Sequence, residues 1–191
     1  MDRLSELPDR LEAERVVVRR YQKGDGKALF ALLERNDNRE FLHANVEEVA
    51  SLATVGDAEV KIQRHTAEWM TRERFVMGIW LKSDLLYVGE IWIEPKRWEV
   101  PSFELGWFLD QGYQGKGFAT EAARRALEFM FSDLHAHKVI VITRDTNPRS
   151  AKLAERLGFK KEGHFRECRV ENDIYYGLVY YGLLITEYSP E

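Results

Sequence analysis

Between residues 102 and 143 the hydrophobic period of the chain switches twice, and few architectures accommodate both switches. Ser102–Leu109 reads as a strand. Ala119, Ala122, Ala123, Ala126, Leu127, Met130 and Phe131 then recur at i, i+3, i+4, i+7, i+8, i+11 and i+12, the stripe of an amphipathic helix. Lys138–Thr143 (KVIVIT) returns to a strand, and its consecutive apolar residues predict burial on both faces. This strand–helix–strand unit sits inside a longer series of strands that alternation and turn residues mark as hairpins.

Upstream, the β-branched run Val16–Val18 predicts a strand, and Ala28, Leu29, Leu32 and Leu33 within Gly24–Arg35 predict a helix. Residues 37–74 read as helical and irregular. Phe75–Leu81 and Leu85–Ile93 read as two strands, with a hairpin in the SDLLYVGE stretch between them. Downstream, Asn147 suits an N-cap and Pro148 the first helical position. That helix runs to Leu157, and Gly158 stands where a left-handed C-cap belongs. Strands over Phe159–Arg169 and Tyr175–Thr186 complete the chain. The order predicts an α/β (α+β) fold, a mixed and mostly antiparallel sheet with helices on both faces, not the steady alternation of a doubly wound fold. No repeat, low-complexity tract or linker interrupts it, so residues 1–191 read as one domain.

Composition narrows the function. With 45% apolar residues the chain can bury a substantial core. A net charge of −4 gives no electrostatic reason to expect nucleic-acid binding. Cys168 is the one cysteine, so neither an intrachain disulfide nor a cysteine-rich metal site can form, and it reads as a strand residue. The opening MDRLSELPDRLEAER is charged throughout, without the apolar core of a signal peptide. The longest apolar run, Ile174–Ile185, is too short for a membrane span and reads as a buried strand. A cytoplasmic protein with no membrane partner is expected.

The chemistry concentrates in Gln111–Thr120 (QGYQGKGFAT), between a strand and the alanine-rich helix. Gly115 and Gly117 let the backbone turn tightly. The first amides of the following helix lack intrahelical acceptors, and the helix dipole adds positive potential at the same end. The combination suits a diphosphate, and Lys116 adds a formal charge. A P-loop would require Lys then Ser/Thr after the last glycine, whereas Phe118 and Ala119 follow Gly117. A dinucleotide fingerprint would place glycine at Thr120, on a first strand. Asp145 could stand in for the ribose-binding acid, so a nucleotide-dependent oxidoreductase stays open as a distant reading. In isolation GKG would signify no more than a turn that starts a helix.

It is not isolated. Gln114-Gly115-Lys116-Gly117-Phe118-Ala119 fits Gln/Arg-x-x-Gly-x-Gly/Ala, the acyl-CoA signature of the GNAT superfamily, and YQGKGFATEA resembles its ribosomal-protein N-terminal (RimJ/RimL-type) acetyltransferase branch. Leu11–Arg19 resembles that branch's opening strand, Phe103–Leu109 its fourth, Asn147–Phe159 with Glu162-Gly163 its second signature, and Tyr181–Leu184 its last strand. Only residues 37–74 have no counterpart. The resemblance implies acetyl-CoA as cosubstrate and no metal. It implies splayed central parallel strands with the pantetheine arm between them, pairing with the backbone of Trp107 and Leu109. The pyrophosphate would meet the amides from Gly115 to Thr120, Asn147 would bind the arm, and Ser150 would lie near the sulfur.

An amine attacks a thioester only when neutral, yet alkylammonium groups have a pKa of about 10.4 and α-amines of about 8. A base and oxyanion donors are therefore needed. Glu104 is the first candidate base, although some GNAT enzymes place it one residue earlier, at Phe103 here. The ribosomal branch proposes a carboxylate at the position of Arg169. Glu167, two residues earlier and hence on the same strand face, is the second candidate. Ser150 is the candidate partner of the leaving thiolate. The tyrosine acid of many members falls at Ala154 and is absent.

Other features read blandly. His135 and His137 form a pair without an evident third ligand, and His65 reads as a helix surface residue. Trp92, Trp98, Trp107 and the C-terminal tyrosines read as core. Asp37, Glu40, Glu47, Glu48, Asp57 and Glu59 face one base, Arg39, and read as a solvated face or an acidic lip for a cationic amine. The leading expectation is an N-acetyltransferase of a protein or peptide α-amine. The alternatives are a small-amine acceptor (polyamine, amino acid or aminoglycoside) and a non-catalytic acyl-CoA-binding module. Edge-strand pairing into a homodimer is compatible with either.

Overall fold

The computed structural model describes residues 7–43 and 46–190; Met1–Glu6, which open the segment read above against a signal peptide, lie outside them. The elements are β1 (Arg10–Glu12), β2 (Val16–Arg20), α1 (Gly26–Leu33), α2 (Asn38–His43), α3 (Glu47–Ala50), α4 (Val55–Thr71), β3 (Phe75–Leu81), β4 (Tyr87–Arg97) and β5 (Ser102–Leu109). A 3₁₀ turn at Gln111–Tyr113 follows. Then come α5 (Phe118–Ser132), β6 (Lys138–Arg144), α6 (Pro148–Arg156), β7 (Lys160–Glu171) and β8 (Ile174–Leu184). The strands run in the order β1-β2-β3-β4-β5-β6-β8-β7. The pair β5–β6 is parallel, and β1–β2, β2–β3, β3–β4, β6–β8 and β7–β8 are antiparallel. No helix among the described residues is long and apolar enough to cross a membrane.

By internal contacts the chain falls into two compact units. The first takes the described residues up to Glu94 together with Trp107–Ala126; the second takes Pro95–Gly106 and the chain from Leu127 onward.

In the first unit, the opening strand expected over Leu11–Arg19 divides into β1 and β2. The described residues of the region 37–74 form α2, α3 and α4 with irregular segments between them, as the sequence suggests. Leu29, Leu32 and Leu33 of α1, Leu42 of α2, Val49 of α3 and Ile62 of α4 bury against Tyr21, Val76, Trp80, Tyr87 and Phe108. Each fully buried leucine contributes about 2 kcal/mol. α4 starts with a reciprocal capping box between Thr54 and Asp57 and buries Ala58, Lys61, Ile62, His65 and Trp69. That stripe overturns the surface reading of His65, which is 1% exposed. Its Nδ1 lies 2.9 Å from Glu68 and its ring stacks on Tyr21. Burial, the largest influence, holds its pKa below the usual histidine value. Beneath it, the Tyr21 hydroxyl donates to buried Glu90 at 2.6 Å and lies 2.7 Å from the Tyr87 hydroxyl.

Asp110 ties this unit together at the end of β5. It is fully buried, and its carboxylate accepts from Arg35 Nε (2.5 Å), Asn36 Nδ2 (2.9 Å) and the Gly112 amide (2.9 Å). Arg35 also donates to the Tyr87 carbonyl, and buried Asn38 accepts from the Gln111 amide at 2.8 Å. The turn between α1 and α2 is thereby pinned to the start of the glycine loop.

In the second unit, β5 and β6 are in register at Ser102 with Lys138, Phe103 with Val139, and Glu104 with Ile140. The register stops short of Leu105 and Gly106, which is the splay of the central parallel pair. The burial of β6 also differs from the expectation. β6 is not buried on both faces but alternates, with Val139, Val141 and Thr143 buried and Ile140 and Ile142 half-buried. α6 covers β6 and β7 with Leu153 and Ala154. The apolar run read as a buried strand is β8, but Ile174 and Tyr175 at its start are 69% and 66% exposed, because their neighbour β7 is an exposed edge strand. Trp98, Tyr176 and Tyr180 are half-buried rather than core, as are Trp92 and Trp107, whereas Tyr181 is buried.

The folded Asp110 carboxyl lies below its ordinary value: burial pushes it up, but hydrogen bonds from Arg35, Asn36, Asn38 and Gly112 outweigh that. Relative to an unfolded carboxyl near about 3.9, its contribution is complete above about pH 4 and is lost as pH falls through the depressed folded value. Asp110→Asn strands Arg35 and should cost about 2–3 kcal/mol in urea unfolding at pH 7. It should also flatten the acid limb of the stability profile; an unchanged midpoint and limb would remove Asp110 from this role.

Candidate active site

The first unit builds an anion cradle from the glycine loop. The 3₁₀ turn releases the chain into extended Gln114, and Gly115 and Gly117 take φ of +76° and +87°. Side chains resist that left-handed region. The first bond of α5 runs from the Glu121 amide to the Gly117 carbonyl at 3.0 Å, so the Phe118 and Ala119 amides lie ahead of the hydrogen-bonded ladder. This is the arrangement at which a helix receives a phosphate.

Three side chains frame the loop. Gln114 donates to the Leu109 carbonyl at 3.2 Å, so it braces the loop against β5. Lys116 donates to the Gly112 carbonyl at 2.8 Å and lies over the Tyr113 ring at 5.0 Å, which holds its charge at the loop. The third, Arg15, escaped the sequence reading. Its guanidinium bonds Glu121 Oε2 at 2.9 Å and the Lys116 carbonyl at 3.1 Å, and it lies over the Phe118 ring at 4.7 Å. Only the fold brings it there, since it precedes the loop by a hundred residues. Trp107 is half-buried, Leu109 buried, and Thr120 half-buried in the first turn of α5.

The second unit holds the other candidates. Asn147 caps α6, its side chain accepting from the Ser150 amide at 3.1 Å, with Pro148 next in line and Gly158 at φ +88° closing the helix, as expected. Ser150 is half-buried in the first turn. Ala154 is fully buried, so its position presents nothing to a substrate. Glu104 is half-buried between buried Phe103 and Leu105, and its Oε2 pairs with Lys96 at 2.7 Å.

Glu167 lies in an irregular part of β7. Register on β7 passes from Phe165 opposite Leu178 to Arg169 opposite Tyr176, so three residues of β7 face Gly177 alone. The bulge breaks the two-residue period, and Glu167 sits in it, exposed, at φ +47°. Contrary to expectation, Glu167 therefore does not share a face with Arg169 by simple alternation. Beside the bulge is a pair that sequence reasoning missed. His164 Nε2 lies 2.9 Å from Asp145 Oδ2, and Asp145 Oδ1 accepts from the Gly177 amide at 3.0 Å. The hydrogen bond from His164 holds the Asp145 carboxyl below its usual value. A Cβ at residue 177 would stand 2.4 Å from Asp145 and 2.6 Å from His164, which is why glycine is needed there.

The acidic stretch is largely spent on structure. Asp57 serves the capping box, and Glu59 accepts from the Gly24 and Gly26 amides. Glu48 pairs with Lys61 at 3.0 Å and with Arg64. Burial works against its charge, but the hydrogen bonds from Lys61 and Arg64 outweigh it and hold its carboxyl at about 2. His135 and His137 are exposed in the turn before β6.

A family model described as "Acetyltransferase (GNAT) domain" matches residues 15–160. An uncharacterized N-acetyltransferase, YnaD of Bacillus subtilis, is 23% identical over 94% of this chain and 99% of its own length. The [ribosomal protein uS5]-alanine N-acetyltransferase of Escherichia coli is 38% identical over 63 residues, 33% of this chain and 32% of its own. A solved structure of ribosomal-protein-S5-alanine acetyltransferase from Vibrio fischeri superimposes with a TM-score of 0.81 at 20% identity, covering 95% of this chain and 99% of that one.

The two loop glycines make separable predictions. Gly115→Ala meets open space and should cost only the left-handed strain of about 1–2 kcal/mol. Gly117→Ala carries the same strain and also places a methyl 3.1 Å from Arg15. Acetyl-CoA affinity, measured by calorimetry, should fall about tenfold in either and further in Gly117→Ala. Wild-type affinity in both would remove the loop from the binding site.

Proposed function

Because the chain belongs to the GNAT acetyltransferase family, we propose that it transfers the acetyl group of acetyl-CoA to the α-amine of a protein or peptide, a ribosomal protein being the acceptor its named relatives suggest. The observation that carries this reading is the glycine loop opening onto the start of α5, with two cations, Arg15 and Lys116, tied to it. A diphosphate there is met by the amides of Gly115–Thr120 and by partial positive charge from the helix.

The remaining roles follow from chemistry. The backbone of Trp107 and Leu109 is assigned to the pantetheine arm, with the Leu109 amide as the donor because its carbonyl already accepts from Gln114. Asn147, whose side-chain oxygen caps α6, is assigned to the arm by its place in the family's second signature. The Ser150 hydroxyl donates to the departing thiolate. Attack is direct: the amine nitrogen forms the new bond, the C–S bond breaks, and the ammonium proton passes to a base. Glu104 is the base of choice, accepting on the oxygen that Lys96 leaves to it. Glu167, displaced into the bulge, ranks second.

Glu104→Gln should lower kcat by about 100-fold or more, while Glu167→Gln should change it by less than about threefold. Equal, small effects would discard a carboxylate base at residue 104. Ser150→Ala should lower kcat with acetyl-CoA affinity held. The acceptor is decided by thiol release from acetyl-CoA against peptides with Ser or Ala N-termini, polyamines and aminoglycosides. Turnover on peptides is expected. Turnover confined to small amines would replace the acceptor and keep the mechanism, and binding without turnover across the panel would leave an acyl-CoA-binding module.

A further inference from the structure

We propose that the cleft between the β1–β2 ribbon and α4 is a second binding site, which takes a small phosphorylated ligand by its phosphate. The cleft has a volume of about 550 Å³ and is lined by four cationic side chains, Arg10, Arg19, Arg20 and Lys23, against one carboxylate, Asp9. That balance runs opposite to the chain as a whole, which carries 28 basic and 32 acidic residues. None of these residues belongs to the acetyl-transfer machinery, so the two readings stand or fall apart.

The cations are of two kinds. The antiparallel register sets Arg10 directly opposite Arg19. Like charges so placed repel, and the fold answers with a carboxylate for each. Glu12 pairs with Arg10 at 2.6 Å, and Asp25 takes Arg19 in a two-pronged bond at 2.7 and 3.0 Å. These two guanidiniums are braced. Arg20 and Lys23 have no carboxylate partner among the described residues; Arg20 lies over the Trp69 ring at 5.7 Å. Uncommitted cations beside braced ones, in a concave site with an amide from exposed Gln63, are the donor set a phosphate group needs. The volume falls among those of small-molecule pockets, about 300–1,000 Å³. Nucleic acid instead calls for a basic stripe on a basic domain.

The cleft carries its own reporters. Arg19 lies 4.1 Å from the Trp80 ring centre and Arg20 lies over Trp69, so an anion that draws these guanidiniums changes tryptophan emission. Inorganic pyrophosphate is the probe, titrated at low ionic strength with CoA present in saturating amount to fill the acetyl-CoA site. A saturable change is expected in the wild type, weakened at least about tenfold in Arg20→Gln/Lys23→Gln. Gln63→Glu adds a carboxylate from the exposed face of α4, leaves the sheet untouched, and should weaken it likewise; it decides the matter if the double variant fails to fold. Absence of saturable binding, or equal affinity in the wild type and both variants, overturns the proposal. So does a single-stranded oligonucleotide that displaces pyrophosphate and binds more tightly as it lengthens, which would make the cleft part of a nucleic-acid surface.

Discussion

A buried carboxylate that no water reaches has to be satisfied completely, and Asp110 is satisfied by groups from both sides of the first unit. Arg35 and Asn36 come from the turn between α1 and α2, and the Gly112 amide comes from the loop it introduces. An unpaired charge at that depth would cost several kcal/mol. The helical layer and the last residue before the glycine loop are therefore fixed by one charge. A loop proposed to present backbone amides to a diphosphate gains from starting at a point that cannot drift, because each amide's aim is set by the torsions before it.

The parts of the fold legible in the sequence are those governed by local rules. β3 and β5 have the bounds that β-branched and aromatic runs mark, and the alanine stripe of α5 and the Asn–Pro start of α6 needed only neighbours along the chain. What stayed illegible depends on partners far away. The apolar run of β6 looks fully buried, but its residues alternate, and Ile140 and Ile142 lie on the less covered face. His65 looks like a polar helix residue until Tyr21, forty-four positions earlier, stacks on it.

The candidate site divides the same way. Its glycines, Asn147 and Ser150 sit in two short signatures, and the turn and the helix start those signatures mark are present. Arg15 and the Asp145–His164 pair were not, because each acts on a neighbour supplied by another strand or loop. Glu167 failed for a further reason. Counting by twos along a strand presumes an unbroken ladder, and no residue type between Phe165 and Arg169 announces a three-against-one bulge.

That bulge bears on more than the aim of one side chain. β7 forms the rim of the sheet, and Phe165 and Val170 along it are 58% and 56% exposed. A straight, unpaired rim is a template on which further strands can add without end. The left-handed kink at Glu167 cuts that template into two short stretches whose free amides and carbonyls do not line up with one incoming strand. The same irregularity, together with the charges that line β7, works against open-ended strand addition at this rim.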